Sequence, residues 1–274
     1  GWVVSSGSWI TTGGVLGAAL GFVIGGIMVF FVGLTYAELT SAMPQCGGEH
    51  VFSHRAMGPI GSFICTWAIV LGYASVVCFE ACALPTIVTY IFPDFLQCYL
   101  YTVAGFKVYA SWLAVAIGMS ILMTWINIRG VKAAAKLQTA LTLIIGAAGI
   151  LLIIVSALTG SVSTLEPQAF LPGDSVTTLK AVLAVAVTTP FYFIGFDVIP
   201  QAAEEINVPL KKIGKILILS VVCAVLFYAL VIIAVGLVLT GSEILAAENG
   251  TGLVTADAMA KALSSATMAK VIII

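Results

Sequence analysis

Long apolar runs alternate with short polar connections along the whole chain. A run of about 20 apolar residues is the length that crosses the hydrocarbon core of a membrane as an α-helix. We therefore predict one half-span, six full spans and the beginning of a last span. The predicted segments are residues 2–12 for the half-span, then 13–37, 59–92, 108–128, 134–160, 177–203 and 213–240, with the last span beginning near residue 259.

Composition supports a multi-pass membrane protein of the cell (plasma or inner) membrane. Hydrophobic residues make up 61% of the chain and charged residues only 8%, with a mean hydropathy of +1.17, whereas soluble domains carry about 25% charged residues. No basic patch indicates nucleic acid as a partner. The chain begins with Gly1 and ends within the apolar run AKVIII. We therefore expect a fragment of a longer protein, truncated at both ends.

Positive charge is concentrated on alternate connections, which predicts the orientation in the membrane. Seven Lys and Arg residues lie in the connections 38–58, 129–136 and 204–215, against four that are spread over the opposite side. These three connections are therefore predicted to be cytoplasmic. The seven residues are Arg55, Arg129, Lys132, Lys136, Lys211, Lys212 and Lys215.

An acidic residue in the predicted span 177–203 coincides with two residues that interrupt helices. Pro190 removes a backbone donor and crowds the preceding turn, and Gly195 weakens the helix further. Broken helices within lipid are tolerated only where protein or a water-filled cavity satisfies the freed backbone groups. Asp197 is therefore a candidate for ligand binding or coupling. The alternative interpretation is a proline kink with a buried, hydrogen-bonded Asp.

Two further acids are candidates for coupling or gating. Glu80 lies deep in the span 59–92, where a charge is costly and is expected to face the protein interior. Together with Asp197 it suits proton coupling or cation binding, although a permanently protonated or hydrogen-bonded Glu80 is an equal alternative. Glu204 precedes a basic cluster, so it would form surface ion pairs or latch an inner gate.

Other constellations predict structure more readily than chemistry. His50 and His54 share one helical face, as zinc ligands often do, but no third ligand lies nearby and we predict no metal site. Six cysteines without a CxxC pair predict neither a disulfide framework nor a zinc site. No catalytic triad, phosphate loop or nucleotide motif is present, so we expect no enzyme.

Four glycines at four-residue spacing predict a seam for close helix packing: Gly13, Gly17, Gly21 and Gly25.

Three stretches together resemble the amino acid–polyamine–organocation superfamily, and specifically its bacterial-type amino acid permeases. The first, YAELTSAMPQCGGEHVFSHRAMGPIGSF, runs from Tyr36 to Phe63 and is similar to that family's YAEL…P..GG.Y.Y…GP…F signature. The second is INIRGVKAAAKLQTALTL, and the third is FYFIGFDVIPQAAEEINVPLKKI, which begins at Phe191. The order and spacing of all three fit the family over effectively the whole chain.

The resemblance implies the all-α fold of the bacterial leucine transporter. In that fold two inverted five-helix repeats form one domain, and helices 1 and 6 are unwound at mid-membrane. Residues 2–12 would be the outer half of helix 1, the span 177–203 would be helix 6, and the chain would stop within helix 8. A single permease domain, 1–274, would then hold the first repeat in 1–160 and the start of the inverted repeat in 177–274.

The resemblance also implies a substrate site. The α-carboxylate would meet backbone N–H groups at the positive end of the first half-helix, and the α-amino group would meet carbonyls at the break in helix 6. Asp197 lies just after this break, where relatives also carry an acid. The implied substrate-binding residues are Gly1, Trp2, Tyr73, Phe191, Tyr192, Ile194 and Gly195.

The expected function is secondary active transport of amino acids by alternating access, with an amino acid substrate and membrane lipid as partners. No cofactor is expected, and a proton or sodium gradient is the candidate driving force. Some relatives place a lysine in helix 5 where sodium-driven proteins bind a cation, but that position aligns with Ile145 here. One alternative is a polyamine or cationic amino acid carrier or exchanger. Another is a non-transporting membrane sensor or subunit.

Overall fold

The computed structural model describes residues 1–103, 105–201 and 210–273. The described chain is almost wholly helical, with one short antiparallel hairpin. The elements are α1 (Trp2–Gly13), α2 (Val15–Ala42), α3 (Glu49–Ile91), β1 (Tyr99–Val103), β2 (Phe106–Tyr109), α4 (Ala110–Ile128), α5 (Val131–Thr159), α6 (Val162–Leu165), α7 (Ser175–Tyr192), α8 (Val198–Gln201), α9 (Leu210–Val238), α10 (Gly241–Asn249), α11 (Val254–Ala262) and α12 (Ala266–Ile273).

Six helices of the described chain are long and apolar enough to cross a membrane. They correspond one to one with the six predicted full spans, because each span needs a similar length of apolar helix. The protein is thus an all-α membrane protein. The six are α2, α3, α4, the part of α5 that runs from Ala135 to Thr159, α7, and the part of α9 that runs from Lys212 to Val238.

Several boundaries differ from the predicted ones: α2 ends at Ala42 and not at residue 37, and α7 ends at Tyr192 and not at residue 203. Two other differences have a local cause in the chain. Helix α3 begins at Glu49, ten residues before the predicted span 59–92, because a short helix precedes the span and meets it at Gly58, whose φ of 72° is not helical. Where the last span was predicted to begin, near residue 259, the structure has two short helices, of which the second, α12, begins at Ala266. A separate helix, α11, ends just before it, and Ser264 with φ 52° turns the chain between them.

Two of the four glycines of the predicted seam, Gly21 and Gly25, pack α2 against α7, whereas Gly13 ends α1 and is separated from α2 by Gly14, whose φ is 76°. A Cβ on Gly21 would lie 2.8 Å from Cβ of Val185, and a Cβ on Gly25 would lie 2.6 Å from Cβ of Thr189. The Thr189 hydroxyl also donates to the Gly21 carbonyl at 3.5 Å. Bare backbone on α2 therefore lets α7 approach closely, as small residues do between membrane helices.

The chain divides into two compact units, each built from several segments. The first unit comprises Gly1–Val15, Cys78–Phe170 and Val231–Ile274, and the second comprises Leu16–Val77 and Leu171–Leu230. Fully buried apolar side chains form the centre of each unit, as Leu253 does in the first and Phe22 in the second. The predicted division into repeats, 1–160 and 177–274, follows chain order and stays a prediction.

Two small elements lie in connections that the sequence analysis left without structure. The strands β1 and β2 pair antiparallel between α3 and α4. Helix α10 begins with a capping box, in which the Thr240 N–H and hydroxyl both donate to Glu243. Lys261 of α11 binds the same carboxylate at 2.7 Å, and these bonds lower the pKa of Glu243 to about 2.

Candidate functional site

The helix that carries Pro190 is interrupted shortly after it. Helix α7 ends at Tyr192, residues 193–197 form turns, and α8 begins at Val198. The Phe193 N–H donates to the Pro190 carbonyl at 3.1 Å. Gly195 has φ 122°, a conformation that glycine adopts readily because it has no Cβ. The backbone of residues 193–197 thus leaves the regular helical hydrogen-bond pattern.

Asp197 stabilises this turn and faces a tyrosine. Its Oδ1 accepts a hydrogen bond from the Gly195 N–H at 3.0 Å. The Tyr73 hydroxyl lies close to the side chains of Asp197 and Gln201, yet it has good hydrogen-bonding geometry with neither. A carboxylate has about four acceptor positions, so Asp197 retains capacity for another donor. The hydrogen bond from Gly195 gives Asp197 a structural role, as in the alternative interpretation of a proline kink with a hydrogen-bonded Asp.

An aromatic cluster surrounds the end of α7. The buried Phe22 ring lies 6.1 Å from the Tyr192 ring, 6.2 Å from the Phe193 ring and 5.1 Å from the Tyr228 ring, between centroids. The Tyr228 hydroxyl donates to the Tyr192 carbonyl at 3.4 Å. This bond satisfies a carbonyl at the helix end with a side chain, which is one of the ways in which helix termini are satisfied.

The connection before α3 docks on α8, immediately after the break. The Gln201 carbonyl accepts from the Gly47 N–H at 3.1 Å and from the Cys46 thiol at 3.0 Å. The Gln201 side-chain amide donates to Oε2 of Glu49 at 3.2 Å. Glu49 is 6% exposed, and its other oxygen has no hydrogen-bond partner among the described residues. The Tyr36 side chain also contacts the Glu49 carboxyl.

The first unit holds the start of α1 and the second predicted acid. Oε1 of Glu80 lies 3.6 Å from the nitrogen of Gly1, and its side chain is 58% exposed. The expectation that Glu80 faces the interior is therefore not met within this unit. Trp2 is buried. The first turn of α1 contains N–H groups that the helix cannot satisfy, and a nearby carboxylate complements them.

Helices α10 and α11 hold α1 in place. The Thr255 hydroxyl donates to the Val3 carbonyl at 2.8 Å. The carboxyl of Glu248 lies directly over Gly7, where an added Cβ would lie 1.9 Å from Oε2 of Glu248. That oxygen is buried without a hydrogen-bond partner among the described residues, and burial raises the pKa of Glu248.

His50 contacts two hydroxyl groups, and its ring lies near that of His54. Nδ1 of His50 lies 2.8 Å from the Ser62 hydroxyl and 3.0 Å from the Thr66 hydroxyl. The rings of His50 and His54 lie 6.2 Å apart between centroids. Within the described residues no group of three or more His, Cys, Asp or Glu side chains could hold a metal ion.

The predicted site residues fall into two groups, one in each unit. Gly1, Trp2 and Glu80 lie in the first unit. Tyr73 and Asp197 lie in the second and are brought together there, at the turn that follows Phe191 and Tyr192 and includes Ile194 and Gly195. Glu204 lies outside the described residues.

Sequence reasoning missed three side chains that shape these two regions. Glu49, Gln201 and Glu248 each form contacts with residues far away in the chain, so no short motif reports them. The available signal for Glu49 was weak, since it is the acidic residue that follows the glycine pair in CGGEH.

The amino acid permease family model matches residues 1–273 of the chain. The chain belongs to the amino acid permease family. It is 29% identical over 252 residues to the methylthioribose transporter of Bacillus subtilis (strain 168), covering 88% of this chain and 52% of that protein. It is 25% identical over 257 residues to the branched-chain amino acid permease BcaP of the same strain, covering 86% of this chain and 52% of the relative.

A fission yeast protein also matches. Amino acid transporter 1 of Schizosaccharomyces pombe (strain 972 / ATCC 24843) is 24% identical over 262 residues, covering 92% of this chain and 42% of that protein. The chain thus spans about half the length of the curated relatives that it matches. Family and spans together make this permease a multi-pass protein of the cell membrane, and its family is one of transporters rather than enzymes.

Proposed function

We propose that this permease is a secondary active transporter of amino acids that works by alternating access. The observation that carries the proposal is the interruption of α7 at residues 193–197, with Asp197 and Tyr73 beside it, in a chain of the amino acid permease family. Peptide groups freed at such a break are the groups that transporters use to hold polar substrates at membrane depth.

The substrate's α-amino group would bind at this break. An ammonium group has three donors and no acceptor, so it suits the carbonyls of Phe191, Tyr192 and Ile194 together with the Asp197 carboxylate. The Tyr192 carbonyl already accepts from Tyr228, but a carbonyl oxygen has a second lone pair. The first turn of α1, at Gly1 and Trp2, stays the predicted place for the α-carboxylate.

Transport is tested with the natural polypeptide that contains residues 1–274, reconstituted in proteoliposomes. We expect labelled amino acids to accumulate under a proton or sodium gradient and unlabelled ones to compete. Methylthioribose belongs in the competition panel because one relative is named for it. If no amino acid accumulates or competes, the substrate class is wrong. Binding without flux would instead favour a sensor or subunit.

Asp197→Asn tests the site within that assay. The amide keeps an acceptor for the Gly195 N–H, so the turn should persist, while the negative charge is lost. Loss of one charged hydrogen bond predicts an apparent affinity about tenfold weaker. Asp94→Asn, at an exposed carboxylate in a connection, is the matched control and should transport normally. Equal effects of both substitutions would remove Asp197 from the proposed site.

A second candidate, a carrier of polyamines or cationic amino acids, is favoured by the position of Glu80. Its carboxylate lies beside the nitrogen of Gly1, where a negative charge would attract an ammonium group and repel a carboxylate. The double variant Glu80→Gln/Asp197→Asn should then abolish uptake of putrescine and lysine but spare neutral amino acids. If the double variant lost uptake of neutral amino acids but kept uptake of putrescine and lysine, this candidate would be contradicted.

A further inference from the structure

A cavity at the junction of α2 and α3 is distinguished by its basic lining. Its volume is about 430 Å³, and it lies in the connection that the positive-inside pattern predicts to be cytoplasmic. We name it the basic crevice. It is lined by Ala42, Met43, Pro44, Gln45, His50, Val51, His54 and Arg55.

The charges around the basic crevice favour an anion. Arg55 takes part in no ion pair among the described residues, so its guanidinium charge is not neutralised by a protein carboxylate there. Among the residues that the structure describes, which exclude 202–209, no Asp or Glu lines the cavity. The neighbouring Glu49 is buried and turned to the amide of Gln201. An arginine fork is the side chain that best matches phosphate oxygens.

The hydrogen bonds of His50 fix which ring nitrogen is available to a ligand. Ser62 donates its single hydroxyl hydrogen to the His50 carbonyl at 3.0 Å, and Thr66 donates its own to the Ser62 carbonyl at 2.8 Å. Both hydroxyl oxygens can then only accept from Nδ1–H of His50. Nε2 is therefore the ring nitrogen that these two hydroxyl groups leave available to a ligand, and His50 is one of the residues that line the basic crevice.

An exposed apolar face follows the residues of the basic crevice in the sequence of α3. Ile60, Ile64 and Trp67 are 77%, 64% and 59% exposed, and their spacing of four and three residues places them on one side of the helix. Gly58 separates this face from the short helix that carries Arg55. The chain thus passes from the cationic cavity at Arg55 to an exposed apolar surface that begins at Ile60 of a membrane-spanning helix.

We propose that the basic crevice binds the phosphate headgroup of an anionic membrane lipid, whose acyl chains lie along Ile60, Ile64 and Trp67. Basic pockets beside cytoplasmic helix ends are where anionic headgroups bind membrane proteins. The ligand needs both parts: a phosphate for Arg55 and the histidines, and hydrocarbon for the exposed face. The proposal concerns a lipid site and is independent of which substrate is transported.

Trp67 gives a direct test because it lies on the proposed acyl-chain surface. The natural polypeptide is reconstituted in vesicles that contain brominated phosphatidylglycerol or brominated phosphatidylcholine, which quench nearby tryptophan fluorescence. The Trp67 contribution is the quenching that Trp67→Phe removes. We expect half-maximal quenching of Trp67 at an about tenfold lower fraction of phosphatidylglycerol than of phosphatidylcholine, and Arg55→Gln should abolish this preference.

Two further variants and one competitor keep the test decisive. Arg55→Lys should retain most of the preference because the charge remains, and Lys136→Gln, at another exposed basic residue, should retain it fully. Preference that persists in Arg55→Gln would overturn the proposal. If inorganic phosphate added to the vesicles that contain brominated phosphatidylglycerol abolished the preference, the basic crevice would take free phosphate rather than a lipid headgroup, and the proposal would fail.

Discussion

At the scale of single residues, two glycines determine how closely α2 packs on α7. Gly25 and Gly21 bring α2 onto α7 at Thr189 and Val185, which lie one and five residues before Pro190. The spacing of these glycines in the sequence was sufficient to predict the seam, because only a bare backbone permits so close an approach. It could not identify α7 as the partner, since the two helices are far apart in the chain.

Gly25→Ala is predicted to destabilise the protein. The new Cβ would lie 2.6 Å from Thr189 and 2.9 Å from the Ala186 carbonyl, so the helices must separate, at a cost of about 1–3 kcal/mol. Thermal unfolding in detergent measures the loss. Gly72→Ala is the matched control, because nothing lies within 4 Å of its added Cβ, and it should be neutral or slightly stabilising. A tolerated Gly25→Ala would show that the seam is loose.

Gln201→Leu is predicted to loosen the connection before α3. It removes the donor to the buried Glu49 carboxylate, and a buried charged group that loses a partner costs about 1–3 kcal/mol. Cys46, which donates to the Gln201 carbonyl, should react faster with a maleimide in a variant whose other five cysteines are serine. Gln45→Leu makes the same substitution at an exposed position, so it should change neither stability nor labelling.

Single residues in the sequence predicted the interruption of the helix at residues 193–197, but they did not predict the side chains that contact it. Pro190 and Gly195 interrupt a helix through their own covalent structure, so the sequence alone reports them. The link from Glu49 to Gln201 joins residues 152 positions apart, and the Tyr228 bond to the Tyr192 carbonyl joins residues 36 apart. Such contacts arise only from tertiary packing, which hydrophobic periodicity does not specify.

At the scale of elements, the long spans were predictable and the short elements were not. Apolar length alone identifies a membrane helix, whereas α10 and α11 are nine residues each and much less apolar. The sequence TGSE at Thr240 to Glu243 does contain the capping-box pattern that starts α10. Strand β1, YLYTV, consists mostly of residues that favour β-structure, but five residues are too few to distinguish a strand from a loop.

The contact between α10 and α1 is predicted to weaken as pH rises. Burial raises the pKa of Glu248, so its carboxyl is readily buried over Gly7 when protonated and costs more when ionised. The contribution is present below the ordinary glutamate pKa of about 4.3 and is lost as pH rises through the raised value. Thermal unfolding between about pH 4 and about pH 8 should show wild type losing stability relative to Glu248→Gln.

Within the part of the chain that the structure describes, the other ionisable side chains of α1, α10 and α11 have partners of their own. Helix α1 has no ionisable side chain. On the other two helices, Glu243 is paired with Lys261 and Asp257 accepts from Thr251 and Tyr90. Glu166→Gln, at an exposed glutamate of the same unit, is the control and should follow wild type. A Glu248→Gln curve parallel to that of wild type would disprove the prediction.

At the scale of the whole molecule, the family match treats the chain as one stretch, whereas the packing divides it into two compact units. The family model covers the chain continuously from residue 1 to residue 273. The compact units instead combine distant segments, so that α3 and α9 each contribute to both units. The order of the segments along the chain leads to the predicted repeats, which stay a prediction. It does not lead to the compact units, because single helices contribute residues to both units.

The hairpin of β1 and β2 has a practical consequence for the orientation of the whole chain. Its turn at Gly105 has φ 87° and open space around the position of a Cβ, and exposed turns of this kind tolerate insertions. An epitope inserted there should leave the spans undisturbed. Because the positive-inside pattern predicts this connection to be extracellular, an antibody should stain intact cells, whereas an epitope inserted at Arg129 should require permeabilisation.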